Sequence, residues 1–250
     1  MSRRLFDAHF HIISPDFPLI ENQGFLPDPF TVSDYMEQAS PLGVDAGAVV
    51  SGSFQAFDQS YLLDALGRLG PRFVGVTQLP FVATDTEILW LDKHNIRAVR
   101  FNLVRLGITD VDRLADFARR VHELAGWHVE LYADTGKIDS LMEMIESLPA
   151  VSIDHLGLSA RGLSLFKRLV KKGVHVKASG FGRLDFPVAE ALAELYRANP
   201  DALMFGSDLP STRARRPFDP ADIELIESTL GAEGAEKVLR TNAERFYRLD

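Results

Sequence analysis

The stretch LFDAHFH, residues 5–11, is the first of a series of short apolar runs that end in polar side chains. Further runs follow at residues 46–52, 72–79, 97–103, 128–133, 151–155, 174–180 and 202–208. Between them, apolar residues recur every three or four positions, as in DVDRLADFARRVHELAG at 110–126, which is typical of amphipathic helices. About eight strand–helix units therefore predict an α/β protein, a single (β/α)8 TIM-like barrel over residues 1–250.

An open, doubly wound sheet is the alternative arrangement for alternating strands and helices. Such a sheet usually carries a glycine-rich phosphate-binding turn directly after its first strand. Here the first run continues as HFHIISPDFP, residues 9–18, without that turn. The barrel is therefore the favoured fold.

Composition and charge limit the classes of partner. The chain is 46% hydrophobic and 25% charged, as globular proteins are, and its net charge of −8 disfavours nucleic acid and anionic membranes as partners. It has no cysteine, which excludes disulfides and fits a reducing compartment. Charged residues interrupt every apolar run well before the roughly 20 residues of a membrane span. We predict a cytoplasmic protein, and the sequence leaves its oligomeric state open.

The barrel fold predicts where the chemistry lies, because TIM barrels carry their active sites at the carboxyl ends of the strands. Polar residues cluster at those ends: His9, His11, Ser51, Ser53, Gln78, Arg100, Asn102, Glu130, Tyr132, Asp154, His155, Lys177, Ser179, Ser207 and Asp208. Polar groups are costly in a purely structural core. We therefore expect them to surround one polar pocket.

Four of these residues are the catalytic candidates. His9 and His11 are two positions apart, so a strand would point both side chains to one face. Asp208 ends the last run, which a closed barrel places beside the first. Together with His155 they could hold a divalent metal, or polarise a substrate oxygen while Asp208 accepts a proton from water. The structural alternatives are hydrogen-bonded core histidines and a helix-capping aspartate.

Arginines near the strand ends indicate an anionic substrate, because guanidinium groups bind carboxylates through paired hydrogen bonds. The candidate substrate-binding residues are Arg100, Asn102, Arg105, Tyr132 and Arg183. Pairing with surface acids is the alternative for the loop arginines. The role of the group Arg213–Arg216 stays open. The long loop at residues 18–35 is expected to fold over the mouth of the barrel.

The segments DAHFH, AVRFNL, HVELYAD, SIDHLG, KASGFGRL and FGSDLPSTRARRPF together resemble the amidohydrolase superfamily. The resemblance extends from Phe6 to about Leu249, and is strongest to the branch that contains 2-pyrone-4,6-dicarboxylate hydrolase and the sugar lactonases. It implies hydrolysis of an anionic lactone or lactone-like ester. In that branch the aspartate matching Asp208 activates water, and the histidines matching His9, His11 and His155 polarise the carbonyl. Residues matching Arg100, Arg105, Arg183 and Tyr132 contact the substrate.

Two departures from the family pattern bear on the metal and the substrate. Binuclear members carry a lysine on the fourth strand and a histidine on the fifth, where this chain has Arg100 with Asn102 and Glu130 with Tyr132. The resemblance then implies either a single zinc, held by His9, His11, His155 and Asp208, or no metal. Many relatives read GTDWPH where this chain reads GSDLPS, so the identity of the substrate does not transfer.

Two other functions remain open at this stage. One is a zinc-dependent decarboxylase or hydratase of the same superfamily, acting on an aromatic or oxo acid. The other is an anion-binding protein without catalysis on the same barrel.

Overall fold

The computed structural model describes residues 4–104 and 111–249, so Arg105 lies outside the described residues. Its strands are β1 (Leu5–Phe10), β2 (Val44–Val50), β3 (Phe73–Thr77), β4 (Ile96–Asn102), β5 (His128–Tyr132), β6 (Val151–Ile153), β7 (His175–Ala178) and β8 (Leu203–Phe205). Its α-helices are α1 (Val32–Ala39), α2 (Ser60–Leu69), α3 (Asp85–Lys93), α4 (Val111–Ala125), α5 (Met142–Ser147), α6 (Leu163–Lys171), α7 (Val188–Ala198), α8 (Ala221–Glu236) and α9 (Asn242–Phe246). A π-helical turn, Lys237–Thr241, joins the last two.

The predicted (β/α)8 barrel is confirmed. The eight strands form one parallel sheet in the order of the chain, from β1 to β8. Just beyond β8 the sheet approaches β1 again: the Asp208 amide donates to the His9 carbonyl at 2.7 Å, and the His11 amide donates to the Leu209 carbonyl at 2.8 Å. These bonds place Asp208 beside the first strand.

Two apolar layers hold the barrel together. The larger layer packs between the strands and the surrounding helices, and is built from alternate strand residues and the inner faces of the helices. A smaller cluster fills the lower interior with Phe6, Ala8, Ala46, Ala48, Val50, Val74, Val76, Ala98, Met204, Ala243 and Tyr247. Small alanines on β1, β2 and β4 leave room for Tyr247, which directly follows α9 and packs against the bottom of the barrel interior. Polar residues therefore occupy the mouth of the barrel, at the carboxyl ends of the strands.

The helices begin where the sequence provides capping groups. Thr31 and Asp34 form a capping box at the start of α1, and Thr84 and Glu87 form another at α3. In each, the threonine oxygen accepts from the backbone of the third helical residue while that residue's carboxylate accepts from the threonine amide. Among the described residues, no helix combines the length and apolar character that a membrane span needs.

A bulge in β1 sets the direction of the two histidines. Asp7 pairs with Gly47 and Phe10 with Val49, so β1 carries one residue more than β2 over this interval. The Asp7 carboxylate stabilises the bulge by accepting the His9 amide at 3.2 Å and the Ser207 hydroxyl at 2.6 Å. As a result the side chain of Ala8 packs in the lower interior, while His9 reaches the site above.

The long loop after β1 packs against two neighbouring loops. The Ile20 amide donates to the Phe54 carbonyl at 2.8 Å. The Arg213 guanidinium donates to the Asn22 carbonyl and lies 4.3 Å from the centre of the Phe25 ring. These contacts hold the loop beside the loops that follow β2 and β8, on the side of the barrel that carries the polar strand ends.

Candidate active site

The centre of the site is a single carboxylate oxygen faced by three imidazole nitrogens. Asp208 Oδ1 lies 3.7 Å from His11 Nε2, 3.8 Å from His9 Nε2 and 3.9 Å from His155 Nε2. All four residues are buried. The structure therefore brings together the residues that the sequence singled out on and directly after β1, after β6 and after β8.

The other ring nitrogens determine which way each histidine points. His11 Nδ1 lies 2.7 Å from the Val50 carbonyl, and His155 Nδ1 lies 2.9 Å from the Ser179 hydroxyl. Because a carbonyl only accepts, His11 must carry its hydrogen on Nδ1, and in the neutral ring its Nε2 presents a lone pair. His9 Nδ1 faces two carboxylates, with Glu130 Oε1 and Asp154 Oδ1 each 3.4 Å away.

The donor set fits one divalent metal ion. His9 Nε2 and Asp208 Oδ1 are buried without a hydrogen-bond partner, which would be costly unless a cation or a bound molecule meets them. Ligand atoms around a tetrahedral zinc lie about 3.4 Å apart, since each is about 2.0–2.1 Å from the ion. The distances of 3.7–3.9 Å to Asp208 Oδ1 are only slightly wider. His9, His11 and Asp208 could hold such an ion, with His155 beside them.

The carboxylate and the histidines have opposite electrostatic tendencies. Burial opposes the charge of Asp208, but Arg183 and His155 outweigh it and hold the pKa of Asp208 well below its usual range. Burial lowers the pKa of His11 and, more strongly, that of His155. At neutral pH the site thus contains a carboxylate and two neutral imidazoles, which suits both metal binding and proton transfer.

His9 differs from the other two histidines. Burial opposes its charged form, but the Asp154 carboxylate, helped by Glu130, raises the pKa of His9 above its usual value. Asp154 is itself held ionised: burial opposes this, and Arg100 lowers the pKa of Asp154 well below its usual range. The protonation of the His9 ring therefore depends on a layer of charged residues below it.

Arg100 is chiefly the partner of Asp154. Its Nε and Nη2 donate to Asp154 Oδ2 at 3.1 and 2.8 Å, and its Nη1 donates to the Ser51 carbonyl at 3.0 Å. Three of its N–H groups are thus used within the protein. The side chain nevertheless forms part of the pocket wall.

A narrow pocket, partly open to solvent, lies above the four central residues. It is lined by His11, Gly52, Ser53, Phe54, Arg100, Asn102, Tyr132, His155, Arg183 and Thr212. Gly52, Phe54 and Thr212 were not among the residues predicted from the sequence, since none of these residue types indicates chemistry by itself. The only available signal was their position in loops that follow β2 and β8.

Arg183 connects the pocket with Asp208. Its Nε donates to Asp208 Oδ2 at 2.7 Å, so the two oxygens of that carboxylate have different surroundings. Gly180 makes this possible: its φ is +60°, and a Cβ there would lie 2.6 Å from His155 Nδ1. Tyr132 also lines the pocket, with its ring centre 5.5 Å from that of His155 and 5.3 Å from Arg100 Cζ.

The charged residues at other strand ends lie away from the pocket. Glu130 and Lys177 were expected to face it, but they form an ion pair that is completely buried beneath His9. That expectation was wrong, because both side chains lie below the mouth of the barrel and point into its interior. Arg213 contacts the loop after β1, and Arg216 pairs with Asp222 at 2.7 Å, so neither lines the pocket.

Comparisons with known proteins bear on the family and the fold of this chain. The amidohydrolase family model matches residues 6–249. A 4-sulfomuconolactone hydrolase from Rhizobium radiobacter is 26% identical over 96% of this chain and 89% of its own length. A probable 2-pyrone-4,6-dicarboxylic acid hydrolase from Acinetobacter baumannii, solved with citric acid bound, superposes with a TM-score of 0.85 at 23% identity, covering 98% of this chain and all of its own. A provisionally assigned hydrolase of the same kind from Pseudomonas putida gives 0.85 at 25% identity, covering 99% and 98%.

Proposed function

The chain belongs to the amidohydrolase family and is a hydrolase, and we propose that it opens anionic lactones with a water molecule activated by Asp208. The observation that carries the proposal is the position of Asp208 Oδ1, which is buried, without a hydrogen-bond partner, and within 3.9 Å of three imidazole nitrogens. Such an oxygen is suited to hold a water molecule and accept its proton.

The reaction requires an attack by water and a departure of the ring oxygen. Asp208 takes a proton as the water oxygen bonds to the acyl carbon, and the carbonyl oxygen gains negative charge. His155 stabilises that charge by donating from Nε2, since its Nδ1 can accept from the Ser179 hydroxyl, and the bond from the acyl carbon to the ring oxygen then breaks. The ring oxygen recovers the proton, so that one water is consumed and one hydroxy acid, or its keto tautomer, is formed.

The pocket wall supports an anionic substrate. Arg183 uses Nε for Asp208 and forms part of the wall, beside Arg100, Asn102 and Tyr132. Guanidinium groups at a partly desolvated site bind carboxylates or sulfonates by charge-assisted hydrogen bonds. The names of the relatives point the same way, because 4-sulfomuconolactone and 2-pyrone-4,6-dicarboxylic acid are both lactones with additional anionic groups.

A single zinc ion fits the same residues. His9, His11 and Asp208 would hold it, with His155 beside them. When bound it would supply Lewis-acid polarisation and lower the pKa of a coordinated water. The protein's own contribution is independent of the ion: His11 and His155 are oriented by Val50 and Ser179, and the carboxylate is kept ionised by Arg183.

The test is a panel of lactones assayed with purified protein. The panel contains 2-pyrone-4,6-dicarboxylate, 4-sulfomuconolactone and an uncharged aldonolactone, each measured by pH-stat titration. Every substrate is tested with protein stripped by a chelator and with protein reloaded with zinc. We expect the anionic lactones to be hydrolysed well above the spontaneous rate, and the aldonolactone slowly.

Three results would contradict the proposal. Equal rates for charged and uncharged lactones would remove the role of the arginines. Absence of hydrolysis in both metal states would favour an anion-binding protein. Carbon dioxide release or hydration of an aromatic or oxo acid, lost on chelation, would instead identify the decarboxylase or hydratase alternative.

A further inference from the structure

Beneath His9 lies a layer of four ionic side chains, of which Arg100 also lines the substrate pocket. Arg100 on β4, Glu130 on β5, Asp154 after β6 and Lys177 on β7 form two cation–carboxylate pairs. Glu130 and Lys177 are completely inaccessible to solvent. Such a pair is often no more stable than apolar residues of similar volume, so stability alone does not explain its presence in a barrel core.

In both carboxylates, one oxygen accepts from a cation and the other faces His9. Asp154 Oδ2 accepts from Arg100, and Glu130 Oε2 accepts from Lys177. The remaining oxygens, Asp154 Oδ1 and Glu130 Oε1, have no hydrogen-bond partner, and each lies 3.4 Å from His9 Nδ1. The His9 ring is thus flanked by two acceptors. Each carboxylate has its own cation, and Arg100 Nε also lies 3.6 Å from Glu130 Oε1.

Lys177 also contacts the backbone that carries His9. Its Nζ donates to the Ala8 carbonyl at 2.7 Å, within the bulge of β1. One cation therefore fixes both the carboxylate that faces the imidazole and the main chain directly before it.

We propose that Glu130 and Lys177 are positioning residues for His9. Glu130 Oε1 shares the Nδ1 hydrogen of His9 with Asp154, which leaves the Nε2 lone pair directed at the centre of the site. The two pairs differ in exposure to the substrate, because Arg100 lines the pocket whereas Glu130 and Lys177 do not. A substrate anion that contacts Arg100 can disturb its bonds to Asp154, but the Glu130–Lys177 pair keeps His9 oriented whether the pocket is full or empty.

The inference rests on the proposed lactone hydrolysis only in one respect: the kinetic measurements use a lactone as the substrate. The experiment compares three proteins: wild type, Lys177→Met, and the double variant Glu130→Gln/Lys177→Met, which removes both charges at nearly constant volume. The single variant leaves Glu130 buried without its cation and should lower Tm by about 10 °C. The double variant should recover to within about 3 °C of wild type.

In the double variant, kcat should not recover although Tm does. In the double variant we expect kcat for the anionic lactone to stay about 10–100-fold below wild type, the usual cost of losing a residue that orients a site histidine. KM should change less than about threefold, since neither side chain touches the pocket. A matched control makes the same two replacements in the outer pair Lys167–Glu194, whose Nζ and Oε2 are 2.9 Å apart, and should leave kcat and Tm unchanged.

A second readout does not require any activity. Nitrogen-15 spectra of the histidine rings in metal-free protein, recorded at alkaline pH, report which nitrogen carries the hydrogen. His9 should have its hydrogen on Nδ1 in wild type and show a second population with hydrogen on Nε2 in the double variant. A double variant with kcat within threefold of wild type, or with an unchanged His9 spectrum, would overturn the inference. If no lactone is hydrolysed, the spectra still decide it.

Discussion

Replacing Asp208 by asparagine should remove the base while leaving the fold intact. Asp208 has a φ of +61°, a left-handed conformation that asparagine tolerates as well as aspartate, so the backbone is not strained by the change. The amide cannot accept a proton from water, and loss of a positioned base costs about 10²–10⁴-fold in rate. We expect kcat to fall by that factor, equivalent to about 3–5 kcal/mol of activation free energy.

The effect on stability should be much smaller. The substitution breaks the buried pair of Asp208 Oδ2 with Arg183 Nε at 2.7 Å, for which the cost is about 3–5 kcal/mol. Arg183 keeps 11% of its side chain exposed and can turn towards water, which favours the lower limit. The new amide can also donate to one imidazole lone pair, returning about 1 kcal/mol. A net loss of about 2 kcal/mol would lower Tm by about 4–8 °C.

The assay measures initial rates on the best anionic lactone together with thermal unfolding by circular dichroism. Zinc should raise Tm of wild type and much less that of Asp208→Asn, because the variant lacks the charged ligand. Asp222→Asn is the matched control, since Asp222 is also mostly buried and pairs with an arginine, Arg216, outside the pocket. If Asp208→Asn kept kcat within tenfold of wild type while Asp222→Asn behaved the same, Asp208 would not be the base.

Two further predictions concern stability. Burial lowers the pKa of His175 to about 4, so the unfolded chain binds the proton more readily between pH 6.5 and pH 4, and stability should fall as the pH is lowered through that range. His175→Gln should make this part of the pH–stability curve shallower in urea titrations, and an unchanged slope would refute the assignment. A Cβ at Gly182 would lie 1.9 Å from the Arg216 carbonyl oxygen, so Gly182→Ala should cost about 1–3 kcal/mol and reduce kcat/KM by displacing the turn that carries Arg183. Gly67→Ala, which has open space in α2, should be neutral or stabilising by about 0.5–1 kcal/mol, and equal losses in both variants would contradict the steric explanation.

The fold and the central residues could be predicted from the sequence because both depend on local patterns. Alternating strand and helix periods are enough to indicate the barrel, and the barrel brings the ends of its first and last strands together. His9 and Asp208 could therefore be placed side by side, although 199 positions separate them in the chain of 250 residues. TIM barrels carry their active sites at the carboxyl ends of the strands, and this rule indicated that both residues belong to the site.

What the sequence could not provide was the depth and pairing of the charged residues. Glu130 and Lys177 end their runs as Arg100 and Tyr132 do, yet the structure buries the former pair and leaves the latter in the pocket wall. Register alone does not make this difference, because Arg100 pairs directly with Glu130 across β4 and β5. It depends on the partners that each side chain meets inside the barrel. Phe54 joins the pocket only because its loop turns inward, and no feature of its residue type indicates this.

The bulge in β1 is a second feature beyond sequence analysis. His9 and His11 both reach Asp208 Oδ1, as expected of two residues on one face, but the strand that carries them is irregular, with one extra residue between Asp7 and Phe10. The bulge is stabilised by Asp7 through contacts with Ser207, a residue far along the chain. Such a contact becomes visible only when the barrel is closed.

The most direct test of an anionic lactone as substrate is the ratio of kcat/KM for a carboxylated lactone to that for its neutral methyl ester. The ring and the scissile bond are the same in both compounds, which differ in the charge facing Arg183 and its neighbours and in one methyl group. A charge-assisted hydrogen bond contributes about 1.5–3 kcal/mol, which predicts a preference of about 10–150-fold for the carboxylate in zinc-loaded wild-type protein. A ratio near one, or a preference for the ester, would contradict the assignment of this site to anionic lactones.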